Sequence, residues 1–242
     1  MKESVVWERL AGLPHAEDAP LSADELAFRR SRYKDLTDEE WRLLLQQQYG
    51  RQYAMDKLPE MAQTQGWLFP PKLNLEQCSS QATACYKRDL IQPLHLAEMT
   101  DLTGGFGIDF YYMSQAARHA TYVERNNELC DIVNHNMHLT TRSIEILNTD
   151  SEAYIQQTKP TVSHPHLVFL DPARRSKTGG KVFRIEDCEP NVSDLLPQLR
   201  EKADYVMLKL SPMLDVTAAM KALGGKWQTH IVAVGGEVKE VL

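Results

Sequence analysis

Along the first ninety residues the apolar positions fall at helical spacing. Beyond about residue 96, short apolar runs alternate with helix-length amphipathic segments. Trp41, Leu44, Leu45, Gln48, Tyr49 and Gln52 recur every three or four residues, which predicts a helix over 38–58 that ends at Pro59. Thr37-Asp38-Glu39-Glu40 in front of it has the Ser/Thr-x-x-Glu spacing of a capping box. Ser22-Ala23-Asp24-Glu25 has the same spacing and predicts a helix over 23–33. Pro70-Pro71 breaks the chain, and Asn74 then offers a cap for a third helix over 75–91. That helix is unusually polar, carrying Ser79, Ser80, Thr83, Tyr86 and Lys87. Either this is a solvated face, or its hydroxyls border a ligand pocket.

Strands are predicted over 97–103, 120–124, 143–148, 166–171, 204–210 and 229–234. Helical connections are predicted around 107–118, 126–138, 151–158, 191–202 and 213–223. Short apolar strands separated by helix-length segments imply parallel pairing with helices on both faces. The predicted class is therefore α/β, a doubly wound, mostly parallel sheet preceded by an all-α segment. The expected division is a helical N-terminal domain over 1–74 and a sheet domain over 75–242. His230 to Val234 reads as a sixth strand, followed by Gly235-Gly236 and a charged, helix-capable stub. Between a sheet closed with six strands and a piece of a longer protein, the second is the expectation.

Composition narrows the function classes. With 43% of its 242 residues hydrophobic and 25% charged, the chain has ordinary globular composition. No apolar run reaches the roughly 18 residues of a membrane span, so a cytoplasmic location without membrane attachment is expected. The four cysteines form no C-x-x-C pair and read as reduced packing residues. A formal charge of −6 exerts no general pull on nucleic acid, so any such surface is local. The densest basic stretch, Arg174, Arg175, Lys177, Lys181 and Arg184, admits two readings: a nucleic-acid contact, or salt-bridge partners for Glu186, Asp187 and Glu189. His135-x-x-His138 has helical spacing but no third ligand nearby, so no metal is expected. Serine-hydrolase elbow and P-loop motifs are absent from the sequence.

The chemistry gathers at strand ends. Leu96 to Asp101 runs into Leu102-Thr103-Gly104-Gly105-Phe106-Gly107-Ile108-Asp109, a strand, a glycine turn and a helix start. Asp101, Glu124, Asp150 and Asp171 fall at or near the carboxyl ends of four successive strands, which in a doubly wound sheet line one crevice. Glu124 suits the two hydroxyls of a ribose, and Asp150 an exocyclic amine, or an ordinary helix cap. A dinucleotide fingerprint places glycines at G-x-G-x-x-G; here Gly105 and Gly107 supply two, and Phe110 takes the third place. Asp101 and Asp109 beside the turn favour a cation over a pyrophosphate, and S-adenosylmethionine meets that demand.

The run from Asp101 to Gly107, with Glu124, Asp150 and Asp171-Pro172, resembles the class I S-adenosylmethionine-dependent methyltransferases, over about residues 75–234. Within that class, Glu76-Gln77-Cys78-Ser79-Ser80 and Leu170-Asp171-Pro172-Ala173-Arg174-Arg175 resemble bacterial THUMP-like-domain methyltransferases. The resemblance implies a Rossmann-like fold and S-adenosylmethionine as cofactor. The turn and acids that would hold it are Asp101, Thr103, Gly104, Gly105, Gly107, Asp109, Glu124 and Asp150, with Ser79 and Ser80 alongside. It also implies RNA as acceptor, met at Asp171, Pro172 and Arg174. In amino-methylating relatives an acid or amide, two prolines and an aromatic hold a planar base. This chain keeps Asp171 and Pro172 but has Ala173 and Arg174 at the other two places. The guanidinium of Arg174 can stack on a base or grip a phosphate. A noncatalytic cofactor- or RNA-binding module and an NAD-dependent oxidoreductase are the competing readings.

Overall fold

The computed structural model describes residues 28, 30–31, 33–140, 144–158, 164–174, 185 and 188–242. The predicted helix over 23–33 lies almost wholly outside them, as does the basic stretch from Arg175 to Arg184. Among the described residues, four helices with resolved bounds come before the sheet: α1 (Asp38–Lys57), α2 (Pro59–Gln63), α3 (Lys72–Gln77) and α4 (Gln81–Ile91). The capping box forms: the Glu40 N–H donates to Thr37 Oγ1 at 3.2 Å, and the Thr37 N–H donates to Glu40 Oε2 at 2.7 Å. The single helix expected over 75–91 is instead two, parted at Cys78-Ser79-Ser80. Ser80 is extended there and its hydroxyl accepts from the Thr83 N–H at 3.2 Å. Serine competes poorly for a helix interior and well for an N-cap, so the chain breaks and restarts at this point.

The sheet then follows: β1 (Leu96–Asp101), α5 (Ile108–Met113), β2 (Ala117–Glu124), α6 (Asn127–His138), β3 (Ile144–Asn148), α7 (Ser151–Gln157) and β4 (His166–Leu170). A small antiparallel pair, β5 (Ala173–Arg174) and β6 (Cys188–Glu189), precedes α8 (Val192–Lys202), β7 (Tyr205–Leu208) and α9 (Val216–Leu223). Five strands form one all-parallel sheet in the order β3-β2-β1-β4-β7. The order reverses between β1 and β4, so their carboxyl ends flank the switch point where such sheets open a crevice.

Alternation along the strands fills both faces. In β4, Leu167 and Phe169 pack with Ile91, Met99, Phe110 and Val133, whereas Val168 and Leu170 pack with Val192, Leu195 and Leu199. That is the period of two expected of a strand buried on both sides. The leading helices share a core with the sheet layer: Trp67, Leu68 and Phe69 pack with Phe106, Tyr112 and Ile132. Asn136 of α6 secures that packing, accepting from the Leu68 N–H at 2.8 Å and donating to its carbonyl at 2.9 Å. His135 bonds the Gly66 carbonyl at 2.9 Å, and His138 bonds the Asn134 carbonyl at 2.6 Å.

The expected sixth sheet strand and helix-capable stub are corrected. β8 (Ile231–Val234) does not extend the sheet; it pairs antiparallel with β9 (Glu237–Val241), which occupies the stub expected to be helix-capable. Gly235 and Gly236 have φ of +61° and +82°, the left-handed geometry that a tight hairpin turn requires. A bridge between Leu210 and Val241 ties the hairpin to the segment after β7. Among the described residues no helix is long and apolar enough to cross a membrane.

Candidate functional site

The glycine turn is built by close packing and left-handed backbone. Gly105 and Gly107 have φ of +54° and +77°. A Cβ on Gly104 would stand 2.0 Å from the ring of Tyr122, a side chain buried completely in β2. That ring presses the turn onto the sheet while the Tyr122 hydroxyl donates to the Gly105 carbonyl at 2.5 Å. The Gly105 N–H donates to Glu124 Oε2 at 2.9 Å, and the Asn126 N–H donates to Glu124 Oε1 at 2.8 Å. Each Glu124 oxygen keeps a lone pair for a further donor.

Around this turn lies a cavity of about 910 Å³. It brings together Ser79, Asp101, Thr103, Gly104, Gly105, Gly107, Asp109, Glu124, Asp150, Asp171 and Pro172 of the expected set. Ser80 is not among its walls; its hydroxyl serves as the α4 cap. Arg174 contributes backbone to β5, and its side chain lies outside the described residues. Asp150 does two things at once, lining the cavity while Oδ1 accepts from the Ala153 N–H at 2.7 Å as the N-cap of α7. Thr103 joins the two strand ends: its N–H donates to Asp101 Oδ1 at 2.9 Å, and its hydroxyl oxygen accepts from the Asp171 N–H at 2.6 Å.

The cavity wall is acidic. Asp101, Asp109, Glu124, Asp150, Glu152, Asp171, Glu189 and Glu240 line it, against Arg125, Lys209 and Lys239. Burial pushes the Asp101 carboxyl up to about 8, with the Asp109 and Asp171 charges adding to the shift against the Thr103 N–H and Lys209. Asp109 goes the other way. Burial pushes it up too, but Lys209, Lys87 and the Ser79 hydroxyl outweigh burial and hold it at about 2. Two acids of one pocket are thus set far apart by their neighbours, Asp101 holding a proton at neutral pH and Asp109 ionised.

Three residues outside the expected set also belong to the site. Lys87, on the polar-looking α4, is completely buried and lies 3.1 Å from Asp109 Oδ1. It also pairs with Glu240 of β9. Lys209, which reads in sequence equally as a rim or a surface lysine, is buried with its ammonium between Asp109 and Asp171. Its place at the carboxyl end of the strand predicted over 204–210, like that of the acids at theirs, is the signal behind the rim reading. Cys78 also borders the cavity, and burial pushes its thiol up to about 11, so it stays a neutral wall.

A solved structure from Porphyromonas gingivalis W83, described as a candidate methyltransferase, matches 99% of this chain at 31% identity with a TM-score of 0.83. The fold is the Rossmann-like fold of methyltransferases. The chain spans 57% of that protein's length. Other solved structures are more distantly similar. An Escherichia coli candidate methyltransferase matches 68% of this chain and 86% of its own at 14% identity, TM-score 0.48. A Streptococcus thermophilus rRNA methylase matches 64% of this chain and 90% of its own at 8% identity, TM-score 0.46. With so little sequence shared, neither adds to the first. No family model matches this methyltransferase-fold chain, and no curated protein matches it.

Proposed function

We propose that this chain is an S-adenosylmethionine-dependent methyltransferase whose acceptor is RNA, of the THUMP-like kind that its motifs resemble. The acid excess around the glycine turn carries the reading. A pyrophosphate placed there would face Asp109 and Glu124, whereas a ligand with an ammonium and a sulfonium is attracted by those groups and draws the proton off Asp101 as well. The turn also leads into a helix of only six residues, a weak seat for a pyrophosphate.

Glu124 offers its remaining lone pairs to ribose hydroxyls, Asp150 reads the adenine edge, and the Asp101–Gly107 turn and Asp109 face the amino-acid end. S-adenosylmethionine supplies a methyl group made electrophilic by its positive sulfur. The chain's own work is positional: Asp171 and Pro172, at the end of β4 beside that turn, hold the acceptor atom in line for displacement. Asp171 accepts the hydrogen that the acceptor presents, orienting it or taking up its proton. The likeness to the P. gingivalis protein supports methyl transfer in general; the motif resemblance supports RNA.

Calorimetry with S-adenosylmethionine and with NAD tests the cofactor, with micromolar binding expected for the first alone; tight NAD binding and none of S-adenosylmethionine would sink the reading. Labelled methyl transfer to total RNA from a strain lacking the protein tests the acceptor. Cofactor binding without incorporation would make the chain a binding module.

A further inference from the structure

Lys209 sits where the two halves of the site meet. Its backbone N–H donates to the Leu170 carbonyl at 2.8 Å, which fixes it across from the end of β4. Its side chain turns inward and is only 11% exposed. An ammonium has three hydrogens and no acceptor, and all three are committed: one to the Asp171 carboxylate, one to Asp109 Oδ2 at 3.2 Å and one to Ser79 Oγ at 3.2 Å. Asp109 belongs to the first turn of α5, beside the glycine turn, and Asp171 to the turn after β4. No donor is left for a substrate.

We propose that Lys209 is a positioning residue of this site, an ammonium that bridges the Asp109 and Asp171 carboxylates and so holds the cofactor turn and the acceptor turn in a fixed relation. The inference rests on the methyltransferase reading for its purpose and on the geometry for its existence. Asp171 is held twice, through its N–H by Thr103 and through one carboxylate oxygen by Lys209, yet its side chain is still 38% exposed. The carboxylate can therefore reach into the cavity without swinging. Since the lysine is saturated, it gives an acceptor no hydrogen of its own, and among the described side chains the group it presents at the transfer point is the Asp171 carboxylate. An acceptor atom that brings a hydrogen, an amine or amide nitrogen, fits that environment; an anionic oxygen does not.

Charged and titratable groups face Lys209 from every side. Asp101 ends β1, Lys87 comes from α4, Glu240 from β9, and Lys57 and Cys78 lie near α3. Ser79 closes the arrangement, its hydroxyl donating to Asp109 Oδ2 at 2.7 Å while accepting from both Lys87 and Lys209. Without Lys209, the Asp101, Asp109 and Asp171 carboxyls face one another with one fewer counter-charge.

The test uses the full chain as wild type, Lys209→Met and Lys209→Arg, with carbon-13 at the aspartate carboxyls. In the wild type the Asp109 signal stays ionised through mildly acidic pH; in Lys209→Met its titration moves up by about one pH unit or more, and Lys209→Arg moves it back. With labelled S-adenosylmethionine and total RNA from a strain lacking the protein, turnover falls about tenfold or more in Lys209→Met and recovers in Lys209→Arg. An unshifted Asp109 titration in a folded Lys209→Met, or unchanged turnover in it, overturns the proposal. If the wild type binds no S-adenosylmethionine while the Asp109 titration still shifts, the cofactor reading fails and the bridge stands. Should Lys209→Met not fold, the wild type decides: scalar couplings from Lys209 Nζ to the Asp109 and Asp171 carboxyl carbons are expected, and their absence overturns the bridge.

Discussion

Replacing Asp101 with asparagine should make the ligand-free protein more stable above neutral pH. Asp101 is 1% exposed, and its carboxyl sits at about 8 in the folded chain against 3.8 in the unfolded one, chiefly through burial. Between those values the folded state holds a proton that the unfolded state has lost. Raising the pH therefore pulls the equilibrium toward the unfolded chain, and stability falls across the window and levels off above about 8. At about 1.4 kcal/mol per pH unit, easing off as the folded carboxyl ionises near 8, the step from pH 6 to pH 8.5 removes about 2.5–3 kcal/mol. Asparagine keeps an oxygen for the Thr103 N–H, which donates to Asp101 Oδ1 at 2.9 Å, and carries no proton to lose.

Urea denaturation of both proteins at pH 6 and pH 8.5 isolates this effect. His166, lowered by burial, titrates in both proteins and cancels in the comparison, and Cys78 and Cys130, both pushed up to about 11, stay neutral in both. The expected result is a gain for Asp101→Asn at pH 8.5 about 2.5–3 kcal/mol larger than at pH 6, equivalent to a melting shift of roughly 5–12 °C for a chain of this size. Equal differences at the two pH values would refute the placement of a protonated carboxyl at the end of β1. The stability gain should come at the expense of function, as at other sites holding a strained group. A cationic cofactor beside Asp101 ionises it, so S-adenosylmethionine binding at pH 7 should release a proton, measurable as a dependence of the calorimetric enthalpy on buffer ionisation, and the asparagine variant should lose that dependence.

Two further substitutions probe the turn. Gly104→Ala drives a methyl group into the Tyr122 ring, 2.0 Å from its nearest atom, and should cost about 1–3 kcal/mol in thermal melting while weakening cofactor binding; a stability within error of wild type would mean that the ring yields freely. Glu124→Ala removes the acceptor of the Gly105 N–H as well as the proposed ribose acceptor, and calorimetry should show S-adenosylmethionine binding weaker by about 1–3 kcal/mol; unchanged affinity would remove the ribose assignment.

What the sequence disclosed about this site divides along a physical line. Strand alternation and the glycine turn are local, and each acid at a strand end inherits its place from its own strand, so Asp101, Glu124, Asp150 and Asp171 were legible and do meet in one cavity. The hairpin was not the expectation, although its signal is present. Val234-Gly235-Gly236-Glu237 is a two-residue turn between apolar alternations, a stronger hairpin signal than the charge of the stub was a helix signal. Lys87 was not legible, because the buried stripe of α4 is Thr83, Ala84, Lys87 and Ile91. Those positions keep helical spacing, but half of them are polar, so a period sought in apolar residues passes them by. Burying that lysine is tolerable only with counter-charges, and these come from Asp109, 22 residues on along the chain, and Glu240, 153 residues away. The same holds for Lys209, whose partners at Ser79, Asp109 and Asp171 lie on three other segments. A carboxylate cluster announces itself one strand at a time, whereas the cations that pair with it are chosen by the assembled fold, which is why the sequence leads to the acids, brings Lys209 only as far as the rim, and leaves the burial of Lys87 to the fold.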